Sequence, residues 1–210
     1  MQNKPLVFIG MSVYNRIVDM DILNMCFQIA AERKVYPILE TVSGPYIDSN
    51  RNRMVQDFLT TQAEWLFFWD TDVVITDSEF LLKMIETAKK LKAKVVAAPY
   101  LIKNDKMEYC AVKLNEEDIL INYKKGELDK PQLVDGVGAG SMLIHRSVFD
   151  KLEAPYFQIV PNEIGGKEMP EDFYFCAKIR EAGFKIAVDT RITTYHFAPA
   201  SWVHLGTLDK

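Results

Sequence analysis

Residues Trp65–Ile75, with the sequence WLFFWDTDVVI, place five large apolar residues directly before Asp70 and Asp72. Burying a carboxylate that has no partner costs several kcal/mol. Because residues two apart in an extended chain point to the same side, the two carboxylates can converge, and they then repel each other unless a cation joins them. Carboxylate oxygens suit a hard divalent ion such as Mg2+ or Mn2+. The segment therefore predicts either a metal site or a strand that has reached solvent, with one acid capping the next helix.

The segments around this stretch alternate between strand and helix patterns. Continuous apolar strands that alternate with helices indicate a parallel sheet with helices on both faces. In the first helix, apolar residues recur at helical spacing and are expected to face the core. Before the third helix, a hydroxyl residue followed three residues later by Glu predicts a capping box. The predicted strands are Pro5–Val13, Val35–Val42, Trp65–Ile75 and Val95–Pro99; the predicted helices are Val18–Lys34 (with Met20, Leu23, Phe27 and Ala30 in register), one capped by Asp48 or Ser49 and running to about Gln62, and Phe80–Leu91 after the box Thr76–Glu79.

The second half of the chain has a different pattern. Two segments, Met107–Leu114 and Asp118–Tyr123, predict a small antiparallel element. A glycine-rich turn, Gly136–Gly140, precedes a strand over Ser141–His145, and Glu171–Ala182 predicts a helix that ends at a glycine. The chain contains no internal repeat, low-complexity tract or linker, so one α/β domain is expected.

The composition argues against nucleic-acid-binding, zinc-binding, disulfide-rich and membrane-spanning classes of protein. The chain of 210 residues has 49% hydrophobic residues and a net charge of −4, which supports a real core and argues against a large electrostatic nucleic-acid footprint. The three cysteines, Cys26, Cys110 and Cys176, form neither a CxxC zinc pair nor a disulfide framework. No apolar stretch approaches the roughly 18 residues that span a bilayer. A cytoplasmic location without a transmembrane segment is expected.

Two enzyme classes use the pattern at Asp70–Val74. It fits the DxDx[TV] motif of aspartyl phosphatases, but the downstream Gly-Asp pattern that holds their magnesium is missing. The phosphatase nucleophile strand also usually comes first in its domain, whereas about sixty residues of α/β pattern precede this one. The second class is the GT-A glycosyltransferases, whose DxD motif holds a metal on a nucleoside diphosphate.

The chain from Phe8 to about Phe197 resembles the GT-A glycosyltransferases, particularly family-2-like members and small phage-encoded relatives. The resemblance implies an α/β, Rossmann-like GT-A fold with a mostly parallel central sheet flanked by helices. It also implies a single domain over residues 1–210, with a nucleotide-binding half at 1–100 and an acceptor-side half at 101–210. The motifs occur in the family's order: SVYNR (Ser12–Arg16), SNRNRMVQDFL (Ser49–Leu59), the DxD, DGVGAGSMLIHRSVF (Asp135–Phe149), MPEDFYFCAKIREAGFKIAVDT (Met169–Thr190) and YHF (Tyr195–Phe197).

The resemblance also implies the role of each residue. Mn2+ or Mg2+ is expected on Asp72 and His196, with Asp70 as a third candidate that is favoured for the ribose or a metal-bound water over direct ligation. Asp172 is expected to act as general base and Glu171 to orient the acceptor. The UDP- or GDP-sugar donor is expected to contact Ser12, Tyr14, Asn15, Arg16, Arg51, Arg53, Asp70 and Thr71.

Several functional points stay open at this level. The QxxRW signature of processive members is missing, so transfer of one sugar is expected, with inversion taken from the family. The acceptor could be a glycan, a protein or a modified nucleic-acid base, recognised through the loops 103–131 and 156–170. The glycines of Gly136–Gly140 are expected to let the backbone approach a substrate closely.

The alternatives to transfer are the phosphatase and a sugar-nucleotide-binding protein without activity. His204 competes with His196 for the metal, His145 is expected to be structural, and Tyr156 and Trp202 are candidates for stacking on a sugar.

Overall fold

A computed structural model describes residues 4–13, 18–117, 119–161 and 168–197. Seven strands form its largest sheet: β1 (Leu6–Ser12), β2 (Tyr36–Val42), β3 (Trp65–Trp69), β5 (Val95–Ala97), β8 (Gln132–Val134), β10 (Ser141–His145) and β13 (Ile186–Val188). Their order across the sheet is β2-β1-β3-β10-β5-β13-β8. Five of these strands run in one direction, and β10 and β8 run against them, so the sheet is mixed but mostly parallel.

Helices cover both faces of this sheet, as the alternating pattern predicts. The helices are α1 (Met20–Glu32), α2 (Ile47–Thr60), α3 (Phe80–Leu91) and α4 (Glu171–Glu181). One core cluster joins α2 and α4 to the face that carries Phe8 and Phe68. A second cluster joins α1 and α3 to the face that carries Val7, Ile9 and Phe67. Alternating residues of one strand therefore feed two separate cores.

The predicted core face of the first helix is wrong. In α1, Ile22, Met25 and Ile29 face the core, whereas the predicted apolar face with Met20 and Phe27 is exposed. This helix is apolar on two opposite sides, so periodicity alone does not choose between them.

The capping predictions also differ from the structure. Helix α2 begins at Ile47, before Asp48 and Ser49, and its N-cap makes no side-chain hydrogen bond. The predicted capping box, which pairs the Thr76 hydroxyl with Glu79, is not formed, because the Glu79 carboxylate accepts from Lys34 and makes no cap hydrogen bond. The Asp77 Oδ1 instead accepts from the Glu79 N–H at 3.0 Å. The Ser78 hydroxyl donates to Glu32, which ties the start of α3 to the end of α1.

The segment WLFFWDTDVVI is not one strand. β3 ends at Trp69, a turn carries the two acids, and Val73–Ile75 forms a separate strand, β4. The turn is closed by the Trp69 indole, whose Nε1–H donates to the Val73 carbonyl at 2.7 Å, and by the Val73 N–H, which donates to the Asp70 carbonyl at 3.1 Å. Both acids therefore sit outside the sheet, and the core does not bury them without partners.

Strands from the second half complete the architecture. They are β6 (Glu108–Leu114), β7 (Leu120–Lys124), β9 (Gly136–Val137), β11 (Val160–Pro161), β12 (Glu168–Met169) and β14 (Thr194–His196). The predicted antiparallel element is present as β6 and β7, extended by β9, and β4 pairs antiparallel with β14 so that His196 lies opposite Val73. β10 inserts between β3 and β5, so both halves of the chain share one sheet. Within the described residues, no helix is long and apolar enough to cross a membrane.

The two tryptophans of β3 provide a test of the turn. We expect Trp69→Phe to lower the free energy of unfolding by about 1–2 kcal/mol more than Trp65→Phe, because it also leaves the buried Val73 carbonyl without its indole donor. Trp65 is the matched control, since its buried ring makes an edge contact with His145. Urea unfolding followed by far-ultraviolet circular dichroism measures both, and equal losses would contradict the proposed closure of the turn.

Candidate functional site

The candidate site lies at the carboxyl ends of the parallel strands, where open α/β sheets bind ligands. Asp70 and Asp72 follow β3, and Ser12 ends β1. The glycine turn enters the site from the start of β10, because the Asp70 N–H donates to the Gly140 carbonyl at 3.0 Å. Asp172 comes from the first turn of α4, and its carboxylate accepts from the Phe173 N–H at 2.8 Å.

Asp72 and His196 meet across the β4–β14 pair. The His196 Nε2 lies 3.5 Å from the Asp72 Oδ2, and Nδ1 hydrogen-bonds to the Leu101 carbonyl at 2.8 Å. A carbonyl only accepts, so Nδ1 carries a hydrogen, and Nε2 is the ring nitrogen that faces Asp72. The Tyr100 ring packs edge-on against His196 with centroids 4.9 Å apart, which fixes the imidazole plane.

Asp72 has a second partner that no sequence motif indicates. The Lys103 Nζ lies 2.6 Å from the same Oδ2 atom. Partial burial opposes ionisation of Asp72, but hydrogen bonds from His196 and Lys103 outweigh it and lower the pKa of Asp72 to about 2. The carboxylate therefore stays charged across the physiological range, as a cation ligand must.

The structure separates the two arginines that are expected at the donor. Arg51 is 3% exposed, and its Nη2 lies 3.2 Å from each Asp70 carboxylate oxygen. Its Nη1 lies 3.4 Å from the Glu171 Oε1. Burial lowers the pKa of Arg51, but the charges of Asp70, Glu171 and Asp172 outweigh it and raise the pKa, so the guanidinium is a permanent internal counter-ion.

Arg53 lies on another face of α2, about 200° around the helix from Arg51. Its side chain is 69% exposed and its Nε lies 3.7 Å from Asp57. It lines a surface cavity together with Tyr156, whose ring also packs edge-on against Phe149. The structure thus does not bring Arg53 to Asp70 and Asp72, and it places Tyr156 in a packing role.

Asp172 occupies an environment that opposes its charge. Burial and the neighbouring Glu171 raise the pKa of Asp172 to about 6, despite Arg51 and the Phe173 and Ala139 N–H donors. Glu171 itself is buried against Arg51. The two adjacent acids of α4 therefore differ, because one is held by a guanidinium while the other titrates near neutral pH.

The glycine turn packs against side chains of the site. A Cβ on Gly138 would lie 2.2 Å from the Cys110 Sγ and 2.4 Å from the Tyr100 hydroxyl oxygen. On Gly140 it would lie 3.0 Å from the Asp70 Oδ2, and the Gly140 N–H donates to the Tyr100 hydroxyl at 3.1 Å. The glycines admit Tyr100 and Asp70, and the expected close approach of a substrate stays a prediction. Sequence reasoning missed Tyr100, although its place just beyond β5 at the carboxyl edge could have indicated it.

Other predicted residues have simpler surroundings. The Ser12 hydroxyl accepts from the Asn50 side-chain amide at 2.9 Å, and Thr71 is partly buried in the turn between the two acids. His145 shares a hydrogen bond with Ser147 and packs on Trp65 at the opposite end of β3, as expected for a structural histidine. Tyr14, Asn15, Arg16, Trp202 and His204 lie outside the described residues.

The residues that could hold a metal are Asp72 and His196. Ligand atoms bonded at about 2.1 Å to one ion lie about 3.0–3.4 Å apart in octahedral or tetrahedral sites, close to the 3.5 Å observed. The third candidate, Asp70, already has a cationic partner, because the Arg51 Nη2 lies 3.2 Å from both of its oxygens. In the described part of the chain no group of three His, Cys, Asp or Glu side chains is arranged to hold a metal. Water or a ligand oxygen would complete the coordination.

The two arginines of α2 give a matched prediction. We expect Arg51→Met to cost about 3–5 kcal/mol of stability, because it leaves the buried Glu171 and the partly buried Asp70 without a counter-ion. Arg53→Met is expected to stay within about 0.5 kcal/mol of the parent protein, since its ion pair is exposed. Arg51→Lys keeps the charge but loses the fork and should fall between them. Urea unfolding measures all three, and similar losses at positions 51 and 53 would contradict the counter-ion role of Arg51.

Comparison with known proteins shows the fold. No family model and no curated protein matches the sequence. Among solved structures the chain is similar to protein A197 from STIV, with a TM-score of 0.63 and 19% sequence identity, over 92% of this chain and 86% of that chain. At this identity the similarity establishes a shared mixed α/β fold, and function has to be argued from the site.

Proposed function

We propose that the protein is a metal-dependent glycosyltransferase of the GT-A type. It would move one sugar from a UDP- or GDP-sugar to an acceptor hydroxyl, non-processively and with inversion. The observation that carries the proposal is the Asp72–His196 pair, with Oδ2 and Nε2 3.5 Å apart at the carboxyl edge of the sheet. The hydrogen bond from His196 Nδ1 to Leu101 supports it, because it turns Nε2 toward Asp72, where that nitrogen would bind a metal in place of its proton.

The donor half of the proposal rests on what the chain presents beside this pair. Asp72 and His196 would hold Mn2+ or Mg2+, which would neutralise the diphosphate as it leaves. Ser12 and Thr71 lie at the same edge and are assigned to the nucleotide, together with Tyr14, Asn15 and Arg16 from the sequence pattern. Asp70 keeps 30% of its side chain exposed, so it can contact the ribose while Arg51 holds it.

Asp172 is the proposed general base. The acceptor hydroxyl would lose its proton to the Asp172 carboxylate while its oxygen attacks the anomeric carbon and the bond to the diphosphate breaks. A pKa of about 6 keeps the group mostly ionised at pH 7 and makes it a stronger base than an ordinary aspartate. Glu171 is better assigned to positioning α4 than to orienting the acceptor, because it is buried against Arg51.

The alternatives fit the same geometry less well. A phosphatase would need the Asp70 carboxylate as a free nucleophile, and the Arg51 Nη2 lies 3.2 Å from both of its oxygens. A nucleotide-sugar-binding protein without activity would not need a partly buried aspartate whose pKa is raised to about 6. It would bind the donor but neither hydrolyse nor transfer the sugar, and this outcome separates it from the enzyme.

Binding of the nucleotide is expected to depend on the metal and on Asp72. We expect UDP or GDP to raise the melting temperature with Mn2+ present and much less without it, because ligands that bind only the folded state stabilise it by mass action. Asp72→Asn should abolish the Mn2+-dependent part. Asp21→Asn, an exposed acid at the start of α1, is the control. An unchanged shift in Asp72→Asn would overturn the metal site, and a trapped aspartyl-phosphate on Asp70 would favour the phosphatase.

Activity is expected to follow the protonation of Asp172. Hydrolysis of the preferred nucleotide sugar, with water as acceptor, should rise from pH 5 to pH 7 with an apparent pKa near 6, because only the carboxylate accepts a proton. Asp172→Asn should reduce the rate by about 10²–10⁴-fold, while Glu181→Gln at the exposed end of α4 should not. A fully active Asp172→Asn would refute the base and leave a retaining mechanism open.

The same group predicts a change of stability with pH. Its pKa is raised in the folded state, so the folded protein binds more protons between about pH 4 and pH 6 and becomes less stable as the pH rises through this range. Asp172→Asn lacks this loss and should therefore gain about 1–3 kcal/mol relative to the parent protein between pH 4 and pH 7. Urea unfolding at both pH values measures the difference, and a constant difference would contradict the raised pKa.

A further inference from the structure

Lys103 contacts Asp72 of the Asp72–His196 pair, but the proposed function gives this lysine no role. It lies in the loop between β5 and β6, and its Nζ contacts the Asp72 Oδ2 at 2.6 Å. The same loop supplies the Leu101 carbonyl that orients His196. One short segment thus positions the imidazole through its backbone and neutralises the carboxylate through a side chain.

The backbone of this loop is fixed, whereas the ammonium can move. Leu101 bridges to Tyr109, and the Ile102 N–H donates to the Glu108 carbonyl at 2.8 Å, so the base of the loop is tied to β6. The Lys103 side chain is 28% exposed. Four methylene groups allow Nζ to move several ångströms without any change in the backbone.

Lys103 and a divalent cation cannot both bind Asp72 closely. Each would place positive charge on the Oδ2 atom that also faces His196, and the two cations would repel each other at that distance. Binding of a divalent cation therefore displaces the ammonium. Within the described ranges Arg51 cannot replace it, since Asp70 and Glu171 hold that guanidinium.

We propose that Lys103 is a diphosphate ligand that rests on Asp72 in the free protein and moves to the phosphates when a divalent cation binds. The inference rests on the proposed function, because it takes the metal and the nucleoside diphosphate from there. A diphosphate carries more negative charge than one divalent ion neutralises, and the displaced ammonium is a positive charge already at the site. In the free protein the same ammonium keeps the Asp72 carboxylate from facing His196 without a counter-ion.

The first measurement uses Mn2+ alone, since the electron paramagnetic resonance signal of the free aqueous ion disappears on binding. We expect Lys103→Met to bind Mn2+ about 3–30-fold more tightly than the parent protein, because its competitor is removed. Lys106→Met, an exposed lysine of the same loop, should stay within about twofold. Lys103→Arg keeps a cation of similar reach and should resemble the parent protein.

The second measurement uses UDP and GDP at saturating Mn2+ by calorimetry. Here the sign reverses, and Lys103→Met should bind the preferred diphosphate about 5–50-fold more weakly, since the phosphates lose a charged donor. Lys106→Met again serves as the control. If Lys103 were purely structural, its replacement would not tighten binding of Mn2+ and at the same time weaken binding of the diphosphate. Unchanged melting temperatures would show that the variants are folded.

The outcomes separate this inference from the proposed function. If Mn2+ and nucleotide bind the parent protein and Asp72→Asn binds neither, while Lys103→Met behaves like Lys106→Met, the site stands and the role of Lys103 is wrong. The role of Lys103 is also wrong if Lys103→Met binds Mn2+ no more tightly than the parent protein, or binds the diphosphate equally well. If the parent protein binds neither probe, the metal site fails and the inference fails with it.

Discussion

The buried guanidinium of Arg51 joins three elements of the fold at one point. It extends from α2, contacts Asp70 at the end of β3 and reaches Glu171 at the start of α4. Removing these charges from water is costly, and the cost is offset only where the partners are held in good geometry. The planar fork of an arginine can address two carboxylates from different elements at once, which an ammonium cannot do in the same way. The positions of Asp70 and of the start of α4 therefore depend on this one side chain.

The contact with Arg51 gives the two acids of the DxD different surroundings. Because Arg51 occupies Asp70, the acid that can take a mobile cation is Asp72, which is 43% exposed and faces His196 across the β4–β14 pair. The turn between them is held by the Trp69 indole on one side and by Gly140 on the other. The apolar residues Trp65–Trp69 form a buried strand, and this strand fixes the point at which the turn with the two acids begins.

Local sequence patterns predict the elements and the edge of the sheet that carries the site. Strand and helix periodicity places β1, β2 and α4 closely, and the DxD at the end of a buried strand indicates a ligand edge. What these patterns cannot decide depends on contacts distant in sequence. Arg51 and Arg53 look equivalent in SNRNR, yet the rotation of about 200° between them sends one into the core and the other to the surface. Lys103 carries no motif at all, and only the fold brings it to Asp72.

The glycine-rich turn is visible in the sequence, but the groups that contact it are not. Its composition is conspicuous in the sequence and correctly indicates that something approaches the backbone closely. The approaching groups are Tyr100 and Cys110, which come from the end of β5 and from β6. Because both lie tens of residues away along the chain, the turn itself could not distinguish these internal neighbours from a substrate.

The pKa values of the two aspartates assigned to the proposed chemistry, Asp72 and Asp172, are shifted in opposite directions by their surroundings. Hydrogen bonds from His196 and Lys103 outweigh burial at Asp72 and lower its pKa to about 2, whereas burial and Glu171 outweigh Arg51 at Asp172 and raise its pKa to about 6. Pairs of acids separated in this way are typical of sites in which one group holds charge and the other moves a proton. An aspartate with a pKa near 6 would be a poor structural choice, since its ionisation at neutral pH destabilises the fold. A cost of that kind is what the proposed role of Asp172 as a general base would require.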